Sequence, residues 1–160
     1  MAPLPPKQAL KEELCRALAA ELSTLERALQ AVREAATHEE AKPENDKDTR
    51  ALEQSYLARG QAARVEELRT GLAEAQALPV RAFGDQPVAL GALVTAEKGD
   101  ETLLLLIAPS GGGTRIGDGK VQVVTPKSPL GRALLGKRAG DDCEVVLAGK
   151  ARELSIVRVD

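Results

Sequence analysis

The feature of the sequence that most constrains the fold is a stripe of apolar residues at helical spacing near the start of the chain. Its steps of four, four, four, three, four, three and four residues place every member on one side of an α-helix. Pro5 and Pro6 mark the start of this helix, because proline is tolerated in a first turn but not further in. The stripe consists of Leu10, Leu14, Leu18, Leu22, Leu25, Leu29, Val32 and Ala36. A long helix with one apolar side needs a partner to cover that side.

A second helical stripe follows and is the expected partner of the first. It runs through Leu52, Tyr56, Gly60 or Ala63, Leu68, Leu72 and Ala75, and it ends at Leu78-Pro79. The polar segment 39–48, interrupted by Pro43, separates the two stripes. Two helices of about 30 residues with a short connection predict an antiparallel coiled-coil hairpin with Tyr56 in its seam. At 1.5 Å per residue, each arm is expected to be roughly 40–45 Å long.

The composition changes near Leu78-Pro79, from helix-forming residues to Val, Gly, Thr and Pro. Short apolar runs separated by turn residues then predict strands, and the turn-like segment 97–100 predicts a hairpin between the first two. The expected strands are Ala89–Glu97, Thr102–Ile107, Lys120–Thr125, Cys143–Leu147 and Leu154–Val159. The fold class is therefore α+β, with a hairpin over 1–78, a tip at 38–48 and a β-rich domain over 79–160.

Two glycine-containing segments of the second half have different interpretations. Ser110-Gly-Gly-Gly113 resembles a phosphate-binding loop, but no Gly-Lys-Ser/Thr sequence or helical pattern follows it, which favours an ordinary flexible loop. Ser128-Pro-Leu-Gly-Arg-Ala-Leu-Leu135 instead predicts a short helix. Ser128 is suited to the N-cap, Pro129 to the first helical position and Gly136 to the exit from the helix.

Composition argues against several classes of protein. The net charge of -2 argues against a nucleic-acid-coating surface, and no apolar run approaches the ~20 residues that a membrane span needs. Tyr56 and Phe83 are the only aromatic residues, so an aromatic ligand pocket or a base-stacking platform is disfavoured. Cys15 and Cys143 lie far apart and outside any zinc-ligand spacing, which favours a reduced, cytoplasmic protein without structural zinc.

The segment from Thr125 to Asp141 carries the most specific motif of the chain. It reads Thr-Pro-Lys-Ser-Pro-Leu-Gly-Arg-Ala-Leu-Leu-Gly-Lys-Arg-Ala-Gly-Asp and precedes the last two expected strands. This unbroken run resembles the C-terminal signature of the GreA/GreB transcription elongation factors. A weaker likeness extends over nearly the whole chain, since Glu44-Asn45 and Val65-Glu-Glu-Leu68 fit the hairpin of that family.

The resemblance implies a fold, a partner and a role. The fold is an N-terminal coiled-coil hairpin followed by an FKBP-like domain, a twisted β-sheet with one short helix. That domain docks at the rim of the RNA polymerase secondary channel, and the hairpin reaches down the channel to the active site. The factor acts as a cytoplasmic monomer, without enzymatic activity or a cofactor of its own. The docking residues that carry over by position are Ser128, Pro129, Leu130, Arg132 and Leu135.

The resemblance also assigns chemistry to the hairpin tip. In the family, acidic tip residues help to hold a second Mg²⁺ and a water in the polymerase active site, which stimulates the polymerase's own cleavage of backtracked RNA. The family pairs an Asp with a Glu three residues later, whereas this chain has Ala41 and Glu44 at those positions. Glu44 is thus the carried-over catalytic and metal-binding residue. Glu40, from one position earlier, or Asp46, from the other side, supplies the missing carboxylate.

The charged residues of the hairpin also have a simpler structural interpretation. Glu44, Asp46 and Asp48 suit the N-terminus of the second helix, whose dipole favours negative charge. Most of the arginines are expected to be surface charges paired with glutamates at helical spacing. The resemblance implies that a basic face of the hairpin contacts the 3′ segment of the nascent RNA. Arg50 is the arginine expected to make this contact, because it lies nearest the tip.

Three functions compete at this point. The leading hypothesis is a polymerase-bound factor that stimulates cleavage of backtracked RNA and so rescues arrested elongation. The substitution of Ala41 for the expected Asp keeps open a second, a Gre-like regulator that occupies the channel without promoting cleavage. A third, a generic coiled-coil interaction protein, leaves the Thr125–Asp141 motif unexplained and is the weakest.

Overall fold

Two long helices form the first half of the molecule. The computed structural model describes residues 3–40 and 49–160 of the chain. Within those ranges α1 (Lys7–Glu40) and α2 (Thr49–Gln76) pack along each other as an antiparallel pair. The main-chain oxygen of Pro6 accepts a hydrogen bond from the amide of Leu10, which closes the first turn of α1. No helix in the described ranges has both the length and the apolar character that a membrane span requires.

The second half of the molecule is a mixed β-sheet with one short helix. In the described part of the chain the sheet has six strands in the order β3-β4-β2-β1-β6-β5. Strands β2 and β4 are parallel, and the other neighbouring pairs are antiparallel. The elements are β1 (Leu93–Lys98), β2 (Glu101–Ile107), β3 (Arg115–Ile116), β4 (Val121–Val124), α3 (Pro129–Leu134), β5 (Asp142–Leu147) and β6 (Lys150–Val159). The prediction of an α+β fold with a helical hairpin before the sheet is confirmed.

The structure has a strand in each of the five regions predicted to form one, but not every boundary is as predicted. The β1–β2 hairpin is confirmed, with Lys98 paired to Glu101 and Gly99 at a φ of 61° in the turn. Strand β1 begins at Leu93 rather than Ala89, because the chain is still turning at Gly91, which has a φ of 92°. The two-residue strand β3 was not predicted, since it is too short to show an alternating pattern.

The two faces of the sheet carry two different hydrophobic cores. Successive residues of a strand point to opposite faces, so Leu105 and Leu106 belong to different cores. Helix α3 and the segment that contains Phe83 cover the first face. The base of the helical hairpin covers the second face, where Leu10, Leu14 and Leu18 pack in the same cluster as Leu106. The hairpin therefore leaves the sheet from the face opposite α3.

The apolar stripe of α1 agrees with the structure as far as Val32, and the side chain of Ala36 lies outside the described part of the chain. Leu10, Leu14 and Leu18 are at most 1% exposed, Leu29 is buried, and Leu22, Leu25 and Val32 are half-buried. Leu78, where the hairpin was expected to end, belongs to the core that the hairpin base shares with the sheet. The division into domains at residues 78 and 79 stays a prediction.

The predicted stripe of α2 is wrong in its distal half. Leu52 and Tyr56 are 60% and 67% exposed, so Tyr56 does not lie in the seam. The more buried residues instead continue from Leu68 toward the tip in steps of three or four through Val65, Gln61, Ala58 and Gln54. The step of five from Ala63 to Leu68 in the predicted stripe breaks the helical period, which is why its first part falls on the outer face.

Candidate functional site

The acidic tip falls between the two long helices in the sequence. Helix α1 ends at Glu40 and α2 begins at Thr49. Glu44 and Asp46, predicted as tip carboxylates, lie outside the described residues, and so does Ala41. Glu40 and Arg50 lie within the two helices, but their side chains are not described. The roles assigned to these residues therefore stay predictions, and the structure places Glu40 and Arg50 at the same end of the hairpin.

The Ser128–Leu135 segment has a geometry that follows directly from its sequence. Ser128 is the N-cap of α3, where its Oγ accepts a hydrogen bond of 3.0 Å from the amide of Gly131. The same hydroxyl donates to the main-chain oxygen of Thr125 at 2.8 Å. Pro129 occupies the first turn, where its missing N–H costs nothing. The hydroxyl of Ser128 thus ties the end of β4 to the start of α3.

Gly131 is required at its position by close packing. A Cβ built on Gly131 would overlap the main-chain oxygen of Thr125, the same oxygen that receives the Ser128 hydroxyl. Any side chain at this position would therefore break the cap. The buried leucines Leu130 and Leu134 anchor the helix in the first core of the sheet. The short helix is held both by its cap and by its core contacts.

Not all of the residues predicted for docking are exposed. Pro129 and Arg132 are exposed, whereas Ser128 and Leu135 are half-buried. Leu130 is only 9% exposed and belongs to the core. A partner would therefore touch Pro129 and Arg132 first. Lys127, next to Ser128, is also exposed and adds a positive charge to this surface. It was not among the residues predicted for docking.

A groove connects this segment with the base of the hairpin. It has a volume of about 700 Å³ and runs between α2 and the loops that follow β2 and β4. Arg64 and Glu67 line it from the helix, and Ser110 and Lys127 line it from the loops. Its lining includes no aromatic side chain and is largely polar or charged, which is unlike a pocket for a small organic ligand. No local sequence pattern predicts this groove, because it forms only when the two halves of the chain meet.

The two cysteines are not activated as nucleophiles. Burial raises the pKa of the Cys143 thiol and of the Cys15 thiol above their usual values. A thiol with a raised pKa is a poor nucleophile near neutral pH. Among the described residues no group of three or more His, Cys, Asp or Glu side chains is arranged to hold a metal ion.

Comparison with known proteins adds the family. Residues 85–160 match the family model described as "Transcription elongation factor, GreA/GreB, C-term". The chain is 35% identical to transcription elongation factor GreA of Alkalilimnicola ehrlichii, over 94% of this chain and 90% of the relative. It is 32% identical to GreA of Phenylobacterium zucineum, over 96% of this chain and 92% of the relative. These matches include the hairpin as well as the sheet.

A solved structure is also similar over most of its length. GreA factor homolog 1 of Thermus thermophilus is 22% identical, covers 91% of this chain and 94% of its own, and superposes with a TM-score of 0.40. The family assignment rests on the sequence relatives, which cover both the hairpin and the Ser128 segment. This chain belongs to the GreA/GreB family of transcription elongation factors.

Proposed function

We propose that this factor binds RNA polymerase through its sheet domain and inserts its hairpin into the secondary channel to stimulate cleavage of backtracked nascent RNA. The observation that carries the proposal is the separation of the two ends of the molecule. Helix α1 continues for 22 residues from Leu18, the last fully buried leucine of its base, to Glu40, which is about 33 Å at 1.5 Å per residue. A rod of that length suits a task at the end of a narrow channel.

The proposed chemistry of the tip depends on carboxylates. Glu44, with Glu40 or Asp46, would supply oxygen ligands to a Mg²⁺ ion shared with the polymerase active site, and Arg50 would contact the 3′ segment of the RNA. Carboxylate oxygens are suitable donors because Mg²⁺ is a hard cation that prefers oxygen. When bound, such an ion helps to activate water and to neutralise charge on the cleaved phosphodiester. The factor has no enzymatic role of its own in this scheme.

The proposed docking surface is the exposed side of the Ser128 segment. Its cap and its buried leucines hold Pro129 and Arg132 in fixed positions, so a partner need not order them on binding. An exposed arginine suits the recognition of carboxylates on a protein surface. The factor is proposed to act as a monomer in the cytoplasm, where it meets its polymerase.

A second candidate function is a channel-occupying regulator that does not promote cleavage. The specific observation in its favour is Ala41, which replaces the aspartate expected at the tip. Such a regulator would use the same docking surface and the same rod. It would differ only in leaving the polymerase's cleavage rate unchanged or lowered.

Transcript cleavage in backtracked elongation complexes decides between the two candidates. The purified protein is added to stalled complexes with Mg²⁺, and shortened transcripts are measured over time. We expect faster cleavage, lost in Glu44→Ala but retained in Glu53→Ala, which removes an exposed carboxylate farther along α2. Binding without any acceleration by the wild-type protein would reject the leading proposal and favour the regulator. Glu40→Ala and Asp46→Ala then identify the second carboxylate.

A binding measurement tests the docking surface separately. Arg132→Ala is expected to weaken binding to purified polymerase without lowering the melting temperature, because the side chain is exposed. Arg115→Ala, which removes an exposed arginine of β3, is the control and is expected to bind normally. Equal affinities for the two variants would exclude Arg132 from the interface. Leu130 is less informative, since its replacement would disturb the core.

A further inference from the structure

Lys7, the first residue of α1, makes contacts that its place in the helix does not explain. Its ammonium nitrogen lies 2.6 Å from the main-chain oxygen of Arg81 and 2.9 Å from that of Asp160. It also lies 4.7 Å from the centre of the Phe83 ring. One side chain thus joins the start of the hairpin to the segment after α2 and to the residue that follows β6.

These contacts offset two costs. A positive charge is unfavourable at a helix N-terminus, where the dipole is itself positive. Burial is a second cost, because it lowers the pKa of Lys7 below its usual value. The negative charge of Asp160 opposes this shift, and the positive charge of Arg81 adds to it. The guanidinium of Arg81 lies 4.1 Å from the centre of the same Phe83 ring. Two cations are therefore gathered on the only phenylalanine of the chain.

Two further hydrogen bonds hold the same end of α1 from other sides. The ammonium of Lys11 donates to the main-chain oxygen of Leu78 at 2.8 Å. A carboxylate oxygen of Glu13 accepts from the amide of Gly117, in the turn between β3 and β4, at 3.0 Å. The apolar contacts of the hairpin base with the sheet are non-directional. Hydrogen bonds to three separate parts of the sheet domain and its linker, in contrast, fix an angle.

From this arrangement we infer that Lys7 is a positioning residue, which sets the angle of the hairpin to the sheet and so the place that the tip reaches. The consequence for the tip rests on the proposed function, but the contacts of Lys7 are a property of the free protein. Over a lever of about 33 Å, a rotation of ~10° at the base would move the tip by ~6 Å. Misplacing a reacting group by about 1 Å can lower a rate ~100-fold.

The first test measures the angle without polymerase. Spin labels are attached to cysteines introduced at the exposed positions Arg33 and Lys150, in full-length protein with Cys15 and Cys143 replaced by alanine. We expect Lys7→Met to broaden or shift the distance distribution, and Lys7→Arg to restore much of it. Arg16→Met, which removes an exposed charge of the same helix, is the control and is expected to leave the distribution unchanged.

Circular dichroism and the melting temperature check that the variants are folded. Lys11→Met, which removes the hydrogen bond to Leu78, provides another test if Lys7→Met does not fold. It is also expected to broaden the distribution. An unchanged distribution in a folded Lys7→Met protein overturns the inference. A distribution that Lys7→Met changes and Lys7→Arg does not restore also overturns it, because the change would then come from altered side-chain packing rather than from the loss of a positively charged hydrogen-bond donor.

The second test uses cleavage in backtracked complexes. We expect Lys7→Met to lower the cleavage rate at saturating factor about tenfold, because the tip is misplaced. The concentration that gives half the maximal rate should change little, because docking is unaffected. A change in the half-saturating concentration alone would contradict a positioning role. If the wild-type protein stimulates no cleavage, the proposed function fails, and the distance measurement still decides whether Lys7 sets the angle.

Discussion

The two halves of the helical hairpin are built differently, although they belong to the same pair of helices. Near the sheet, the inner faces carry large apolar side chains such as Leu14 and Leu68, which are nearly fully buried. Toward the tip, α2 turns the smaller or polar residues Gln54, Ala58 and Gln61 inward while Leu52 and Tyr56 are exposed. The half of the hairpin near the sheet is part of a hydrophobic core, and the half near the tip is a rod that buries less apolar surface.

This difference indicates that the base of the hairpin provides most of its stability, whereas the distal half provides its length. The side-chain oxygens of Gln54 and Gln61 are buried without a hydrogen-bond partner among the described residues. Such groups cost free energy. The distal half is therefore expected to open locally at a lower free energy than the base, as segments with little apolar burial do. In the proposed function, contacts with the walls of the polymerase channel would compensate for this low apolar burial.

The largest expected effect contrasts one leucine from each half. Leu14→Ala is expected to lower the free energy of unfolding by about 2–5 kcal/mol, because it leaves a cavity in the core shared with the sheet. Leu52→Ala is expected to change it by less than about 0.5 kcal/mol, because the side chain is exposed. Chemical denaturation of both variants measures the difference. Similar losses would mean that the distal half is packed as tightly as the base.

Two glycines of α2 give the next contrast. A Cβ at Gly71 would lie 2.5 Å from the Cβ of Ser110, so Gly71→Ala must displace the loop after β2. Overpacking of this kind costs about 1–3 kcal/mol, against a gain of about 1 kcal/mol in helix propensity. Gly60 has open space around it, and Gly60→Ala is expected to stabilise by up to about 1 kcal/mol. Thermal denaturation should therefore shift in opposite directions, and a stabilising Gly71→Ala would contradict the close contact.

The buried amide of Gln61 gives a third contrast within the distal half. Gln61→Leu removes an oxygen that has no partner among the described residues and is expected to stabilise by about 1 kcal/mol. Gln30→Leu is the control, because Gln30 is exposed and its amide donates to Glu34. Hydrogen exchange by mass spectrometry should show slower exchange of the distal peptides in Gln61→Leu only. Equal protection in both variants would indicate that the amide is already satisfied.

The smallest effect is expected from the ion pairs that cross the hairpin. The guanidinium of Arg69 lies 3.1 Å from the carboxylate of Glu26 and also pairs with Glu66, and the hydrogen bond to Glu26 is the largest cause of its raised pKa. These side chains are exposed, so salt screens their attraction. Arg69→Gln is expected to lower the melting temperature slightly at low salt and not at high salt. A loss that persists at high salt would point to packing rather than charge.

The local signals of the sequence predicted local structure well. Ser128 and Pro129 identify the start of α3 because an N-cap and a first-turn proline act within one turn of helix. The stripe of α1 is correct because it keeps helical spacing without a break. The prediction of which face of distal α2 is buried was wrong, because it assumed that apolar residues always point into the seam. The candidate site was predicted only as a motif, since the exposure of Arg132 and the burial of Leu130 depend on the sheet.

The sequence by itself determined that Leu10, Leu14 and Leu18 lie on one side of a long helix. Only the tertiary structure decided what covers them. An isolated coiled coil would bury them against α2 alone, but the second face of the sheet carries Leu106 and other apolar residues that also need to leave water. The helix base satisfies both requirements at once. The contacts of Lys7 with Arg81 and Asp160 follow from that meeting of the two halves, and helical periodicity carries no information about it.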